Sequence, residues 1–117
     1  MSIEISNGKA GYIVSEASAS LNGITGANQV IVSAPGAGKQ IWVVGYHLTV
    51  SASGTVAWED SGGTSFTGPM PITTGIVLTP NGDKPVPLYK CATNTALQVD
   101  VVTATIYGNV QYIIVSV

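Results

Sequence analysis

The chain has 117 residues, which fits a single domain that can bury a core without disulfides or a metal. Only 9% of the residues are charged, none is arginine, and four scattered lysines leave a net charge of −2. A nucleic-acid binder needs clustered cations, so we expect no nucleic-acid partner. Because 45% of the residues are hydrophobic, we expect an obligate oligomer; the alternative is that Ser, Thr, Gly and Asn supply enough polar surface.

The N-terminal segment, residues 1–28, is rich in Ser, Asn, Gly and Ala. It has neither the basic start nor the apolar core of a signal peptide, and no apolar run in the chain approaches the roughly 20 residues that span a bilayer. We therefore expect synthesis in a cytoplasm and no membrane partner. Residues 14–23 favour a loop or one short helical turn. The whole segment is either an arm that docks on a neighbour or a first strand plus a loop.

Residues 29–117 are rich in Val, Ile and Thr, with Gly, Pro and Asn at short intervals, as is typical of short strands joined by turns. We predict strands at 29–34, 40–50, 55–60, 71–80, 84–90 and 96–102, and a final hairpin that turns near Gly108-Asn109. This spacing predicts a sandwich or a barrel. Our prediction is an all-β, single-domain antiparallel β-sandwich of about eight strands, arranged as a jelly roll.

Two strands and one turn carry more detailed predictions. Alternation along residues 40–50 predicts one apolar face at the even positions, which are Trp42, Val44, Tyr46, Leu48 and Val50. Asn-Gly within residues 80–83 is a strong hairpin signal. Alternation along residues 96–102 predicts that its odd positions, Leu97, Val99 and Val101, point inward.

The last strand is apolar on both faces. A sandwich covers only one face of a strand, so we expect the other to pack on another subunit. Together with the apolar positions of the N-terminal segment, this gives a predicted interface of Ile3, Ile5, Tyr12, Ile13, Tyr112 and Ile114.

The glycine-rich stretch around Gly38-Lys39 resembles a phosphate-binding loop only superficially. That motif needs a glycine five residues before the Gly of the Gly-Lys pair and a hydroxyl residue after the lysine. Ser33 and Gln40 occupy those positions, and a strand-forming sequence follows where a helix is required. We predict a strand, a turn and a second strand.

No other residues form a catalytic or metal-binding pattern. His47 is the single histidine and has no nucleophile signature near it, and Cys91 is the single cysteine, which we expect to be a small buried residue. Glu59 and Asp60 are adjacent on a strand and point to opposite faces, so they cannot act as a paired acid and base. We therefore predict no enzyme activity, no catalytic residues, no metal and no cofactor.

The aromatic residues allow a different function, because exposed rings on a β-sandwich can stack on sugars. Trp42 and Trp58 lie on apolar faces of their strands, where packing in the core is the default. Glycan binding therefore stays as the alternative function.

Three motifs stand out in residues 29–117: Gly38-Lys39 before a long hydrophobic strand, Thr67-Gly68-Pro69, and Gly108-Asn109-Val110-Gln111-Tyr112 near a hydrophobic end. In these motifs the segment resembles small β-sandwich proteins of tailed bacteriophages. The resemblance implies a non-enzymatic virion protein on the outer capsid surface, a jelly-roll homotrimer that cements neighbouring copies of the major capsid protein, with an N-terminal arm in capsid contacts. The alternative is a receptor- or glycan-binding domain of a phage tail or an adhesin.

Overall fold

The computed structural model describes residues 13–84 and 86–117, and within them there are strands and turns but no helix. The seven strands are β1 (Ile13–Val32), β2 (Lys39–Ala52), β3 (Gly54–Asp60), β4 (Met70–Ile72), β5 (Val77–Leu78), β6 (Tyr89–Lys90) and β7 (Leu97–Ser116). Hydrogen bonds join them into one antiparallel sheet. The predicted all-β, single-domain antiparallel fold is confirmed, with seven described strands against the eight or so expected.

The 20-residue strand β7 is the centre of the sheet. On one edge it pairs with β1 along its whole length, from Ile13 opposite Val115 to Val32 opposite Leu97. On the other edge its C-terminal part pairs with β2 and its N-terminal part with β3. The chain from β2 to β3 therefore runs as one long strand, interrupted at Ser53. The short strands lie outside it: β5 and β6 on β2, and β4 on β3.

The sheet bends where all three long segments are irregular. β1 loses its regular register between Asn22 and Gln29, and β7 holds Thr103 at a φ of 64° at the level where β2 gives way to β3. Irregularities of this kind increase the local twist and bend a strand. The sheet consequently curls over one main core, an arrangement consistent with a single-domain β-sandwich.

The main core lies on the concave face of the curled sheet. It contains Leu97, Val99 and Val101 of β7, so the alternation assigned to residues 96–102 is confirmed. Its largest fully buried side chains are Trp58, Ile41, Leu48, Leu97 and Ile106. Trp58 packs against Tyr46 in a tilted arrangement, with ring centroids 5.0 Å apart and an angle of 38° between the ring planes.

A second, smaller apolar cluster lies on the opposite face of the sheet. It is formed by Ile13, Trp42, Ile113 and Val115, with Val44 packed against it. The predicted even-numbered apolar face of β2 is therefore wrong. The register with β7 shifts between Val43 and Gly45, because Val44 is an extra residue, a β-bulge. Trp42 consequently lies on one face, whereas Tyr46 lies in the main core on the other.

The same cluster accounts for the two-sided apolar pattern at the end of β7. Ile113 and Val115 are buried against Trp42 within one chain, and Val110 is buried in the main core. The premise that a sandwich leaves one face of this strand for another subunit is thus incorrect here.

The predicted final hairpin is also wrong, because β7 passes through Gly108-Asn109 without turning. Gly108 has a φ of +140°, and a Cβ at this position would collide with the carbonyl oxygen of His47 on β2. The glycine therefore permits a close approach of two strands. Residues 14–23 likewise form part of a strand, not the loop or helical turn expected from their serines.

The segment from 71 to 90 is less regular than predicted. Residues 71–80 divide between β4 and β5, with a turn in which Ile76 N donates to Thr73 O. Asn81-Gly82 is not a hairpin turn: Asn81 forms a bridge to Gly45, and a turn follows in which Asp83 N donates to Val86 O. Of the strand predicted at 84–90, only the two residues of β6 form a strand, which pairs with β2.

Candidate functional site

The glycine-rich loop before β2 is a turn between strands, as predicted. Gly36 and Gly38 have φ values of 111° and 73°, and Lys39 N donates to Gly36 O over 3.3 Å. The side-chain oxygen of Asn94 accepts a hydrogen bond from Gly36 N, and Val117 N donates to Gly38 O. These bonds fix the turn against two other parts of the chain. A strand follows it, so no helix N-terminus is present to hold a phosphate.

Asp60, at the end of β3, is the one buried charged residue of the described chain. Its Oδ1 accepts from Gly62 N and Thr64 N over 2.9 and 3.0 Å, and its Oδ2 accepts from Ala92 N over 2.9 Å. Burial opposes ionisation, but the hydrogen bonds from Ala92, Thr64 and Gly62 outweigh it and hold the pKa of Asp60 below its ordinary value. Since these bonds come from the backbone of residues 62–64 and of Ala92, the carboxylate joins two loops.

Cys91 lies beside this carboxylate and is fully buried. Burial, with a smaller contribution from the negative charge of Asp60, raises the pKa of the Cys91 thiol to about 12. The thiolate, which is the reactive form, is therefore scarce at neutral pH. The predicted small buried cysteine is confirmed.

Glu59 points to the face opposite Asp60, as predicted, and lies close to Asp100 and Asn28. Burial raises the pKa of Glu59, and the neighbouring carboxylates of Asp100 and Asp60 raise it further. The backbone N–H of Asn28 donates to Asp100 Oδ1 over 2.5 Å. With its amide nitrogen turned towards the carboxylates, the Asn28 side chain also donates to Glu59 Oε2 over 3.0 Å. In the described ranges, no three His, Cys, Asp or Glu side chains lie close enough to hold a metal ion.

The two tryptophans are buried on opposite faces of the sheet. Trp42 is 5% exposed; Lys90 Nζ lies 4.3 Å from its ring centroid, and its indole N–H donates to Gln40 Oε1 over 3.0 Å. Trp58 is fully buried, and its Nε1 has no hydrogen-bond partner in the structure as described. Neither indole therefore offers a ring face to a sugar. The most exposed described aromatic side chain is Tyr107, at 42%.

The described residues enclose no cavity or cleft of the kind that holds a small molecule. They include no helix long and apolar enough to cross a membrane. The single histidine, His47, is exposed on β2. Candidate binding surfaces on the described residues are therefore strand edges and exposed side chains.

The predicted interface residues are only partly within the described structure. Ile3, Ile5 and Tyr12 lie outside the described residues. Ile13 is buried in the second cluster, and the remaining two, Tyr112 and Ile114, are half-buried on the concave face next to β1. Their role in contacts between subunits stays a prediction.

The long outer edge of β1 is the candidate interaction site. β1 pairs with β7 on one side, and no described strand pairs with its other side. Over the 20 residues Ile13–Val32 there is one charged side chain, Glu16, and both Val14 and Val30 are about half exposed. Glu16 forms an ion pair with Lys84, and this hydrogen bond lowers the pKa of the Glu16 carboxyl. Sequence patterns did not point to this edge, because alternating Ser and Ala favours neither strand nor helix clearly.

Comparison of the chain with protein-family models, with curated proteins and with solved structures finds no match.

Proposed function

We propose that this protein is a non-enzymatic structural component of a tailed-phage virion that decorates and cements the capsid. The observation that carries the proposal is the open, almost uncharged edge of β1, accompanied by exposed apolar side chains at Val77, Val86 and Val102. Exposed strand edges and apolar patches on a folded chain are surfaces for binding other protein chains. The resemblance of residues 29–117 to phage β-sandwich proteins supplies the class of partner.

The proposed mechanism is burial of apolar and backbone surface across junctions between copies of the major capsid protein. Each contact removes apolar area from water at roughly 25 cal/mol per Å², so a clamp spanning two capsid subunits stabilises the shell against internal genome pressure. The resemblance implies three copies per decorating unit on the outer surface of the shell.

The proposal is tested by co-sedimentation of the purified chain with capsids assembled from the major capsid protein encoded in the same genome. We expect saturable binding at a fixed number of copies per capsid, together with a higher temperature of capsid disruption. Absence of binding to these capsids, with the chain folded as judged by circular dichroism, would contradict the proposal.

The second candidate, glycan or receptor binding, is favoured by one observation, the exposed ring of Tyr107 on β7. Aromatic rings with one free face stack on sugars. A glycan array separates the two functions: binding there that is lost in Tyr107→Ala, without capsid binding, supports the second candidate.

A further inference from the structure

The outer edge of β1 has a regular, flat part. Register with β7 is continuous from Ser15 opposite Ile114 to Asn22 opposite Tyr107, and the shifts in β1 lie before and after this run. Over the run, the outward N–H and C=O groups of β1 have no described strand to pair with. A regular unpaired edge is a template for an added strand.

This edge lacks the features that keep other strand edges apart. Proteins protect open edges with lysine, proline, bulges or a covering segment. The run itself contains no lysine, proline or bulge, no described strand covers it, and its one charged side chain, Glu16, is ion-paired with Lys84. The opposite side of the same sheet is covered by the short strands β4, β5 and β6 along β3 and β2. The contrast identifies β1 as the edge left open for a partner.

We propose that the partner is a second copy of this chain, whose Ser15–Leu21 pairs antiparallel with the same segment of the first. The two-fold axis passes between the two copies of Ser18, perpendicular to the sheet. Such an isologous contact uses the same patch on both subunits and closes the pair. It continues the sheet from one subunit into the next.

The charges of the run fit this pairing. With Ser18 opposite Ser18, Glu16 of each copy lies opposite Ser20 of the other, so no like charges face each other across the strands. The two copies of Glu16 are then about 13 Å apart along the strands, beyond the ~8 Å screening length at physiological salt.

The side chains of the run fit it as well. On the concave face the run presents Ser15, Ala17 and Ala19, next to the half-buried Ile114 and Tyr112 of β7. Because these side chains are small, the two copies of the run can pair without steric clashes on this face. Tyr112 and Ile114 of each subunit lie on either side of the paired strands. Pairing would therefore enlarge the apolar surface around Tyr112 and Ile114, which agrees with their prediction as interface residues.

The inference does not depend on the proposed function, since it concerns only how two copies meet. It is tested with the full chain by sedimentation equilibrium, where two copies give twice the 11.9 kDa of one. Ser18→Lys places two positive charges opposite each other, and like charges in opposed positions should raise the dissociation constant by roughly tenfold. Ser51→Lys is the matched control, because Ser51 is an exposed strand serine on β2, away from β1.

A mixture of Ser18→Lys and Ser18→Glu is the decisive sample, because opposite charges then face each other. We expect each variant alone to be mostly monomeric, the mixture to regain pairs, and Ser51→Lys to pair as the parent does. Three results would overturn the inference. They are a monomeric parent chain, an assembly whose dissociation constant is the same with Ser18→Lys, and a mixture of the two variants that fails to pair. Circular dichroism and thermal unfolding of each variant establish that it is folded, and Ser18 is exposed, so its replacement leaves the core intact. Capsid binding is measured separately, so failure of the pairing and failure of the proposed function are distinguishable.

Discussion

At the scale of single residues, Asp60 shows how a buried charge is used for structure. It follows β3 directly and precedes Ser-Gly-Gly-Thr, a sequence suited to a carboxylate that bonds the backbone two to four residues on. This residue pattern is typical of a turn closed by an aspartate side chain. The third bond, from Ala92 N, joins residues 32 positions apart and could not be anticipated without the fold.

Asp60→Asn should therefore destabilise the protein by roughly 2–4 kcal/mol, because an amide turns N–H donors towards backbone donors and loses the charge-assisted bonds. The folded-state pKa is below the ordinary 3.8, so the stabilisation from ionised Asp60 is complete above that pH and is lost as the pH falls through the lowered pKa. Urea unfolding from pH 7 to pH 2 measures both effects. The variant and the parent should converge at the acid end.

Glu59→Gln is the control for this experiment, since Glu59 is adjacent but lies on the other face with a raised pKa. We expect a change within about 0.5 kcal/mol at pH 7, because the substitution removes repulsion from Asp100 while keeping a polar side chain. A loss as large as that of Asp60→Asn would contradict the assigned role of Asp60.

Gly108 provides a second prediction at this scale. Gly108→Ala should cost about 3 kcal/mol or more, because the new Cβ meets the backbone carbonyl of His47 in addition to the strain of a φ of +140°. Gly63→Ala is the matched control: Gly63 also has a positive φ, +95°, but open space around it, so only about 1 kcal/mol of backbone strain is expected. Equal losses in thermal unfolding would show that no close approach exists at Gly108.

Cys91 gives a third prediction. In the folded protein its thiol should react with a maleimide or disulfide reagent at pH 8 at least a hundredfold more slowly than in urea, since it is buried and its pKa is about 12. Rapid labelling of the native chain would mean that the loop held by Asp60 opens readily.

At the scale of strands, sequence periodicity predicted the existence of most elements and failed where a strand changed its register. The segment around Trp58 pairs with β7 without a register shift, and Trp58, predicted on an apolar face, lies in the main core. Around Val44 every residue is apolar, so an extra residue in the strand leaves no mark in the pattern. The Asn-Gly and Gly-Asn pairs predicted hairpin turns. In the structure, Gly108 instead allows a close contact between β7 and β2, and Asn81 forms a bridge to Gly45.

The bulge at Val44 predicts which core substitutions are independent. Trp42→Leu and Trp58→Leu lie in different clusters on opposite faces, so their losses of unfolding free energy should add within about 0.5 kcal/mol. Tyr46→Leu and Trp58→Leu remove two aromatic rings that are in contact, and their effects should couple by about 0.5–1.5 kcal/mol. Double-mutant cycles in urea measure both. Strong coupling of Trp42 to Trp58 would instead require the two indoles to share one face.

At the scale of the whole molecule, three long segments form a body 45 Å long that is 26 Å and 21 Å across. On one side the sheet ends in the short strands β4, β5 and β6, and on the other it ends in β1, whose outer edge pairs with no described strand. The low charge and high apolar content visible in the sequence indicated association with other chains. They could not indicate which edge is open, because that depends on pairings between residues far apart in the chain.

The open edge also separates two modes of assembly. The resemblance to capsid-decorating proteins implies trimers, whereas pairing through Ser15–Leu21 gives two-fold contacts. Both can occur on one molecule only if the trimer contacts and the capsid contacts use surfaces other than the paired segment of β1. Val77 and Val86, in the segment that flanks β2, are exposed apolar side chains on such a surface.

The central claim is that this protein acts by binding a phage capsid. The most direct measurement is electron cryomicroscopy of capsids assembled from the major capsid protein of the same genome, imaged with and without the added chain. We predict additional β-rich density of this size on the outer surface, repeated at junctions between capsid subunits. Capsids that look the same with and without an excess of the folded chain would contradict the claim.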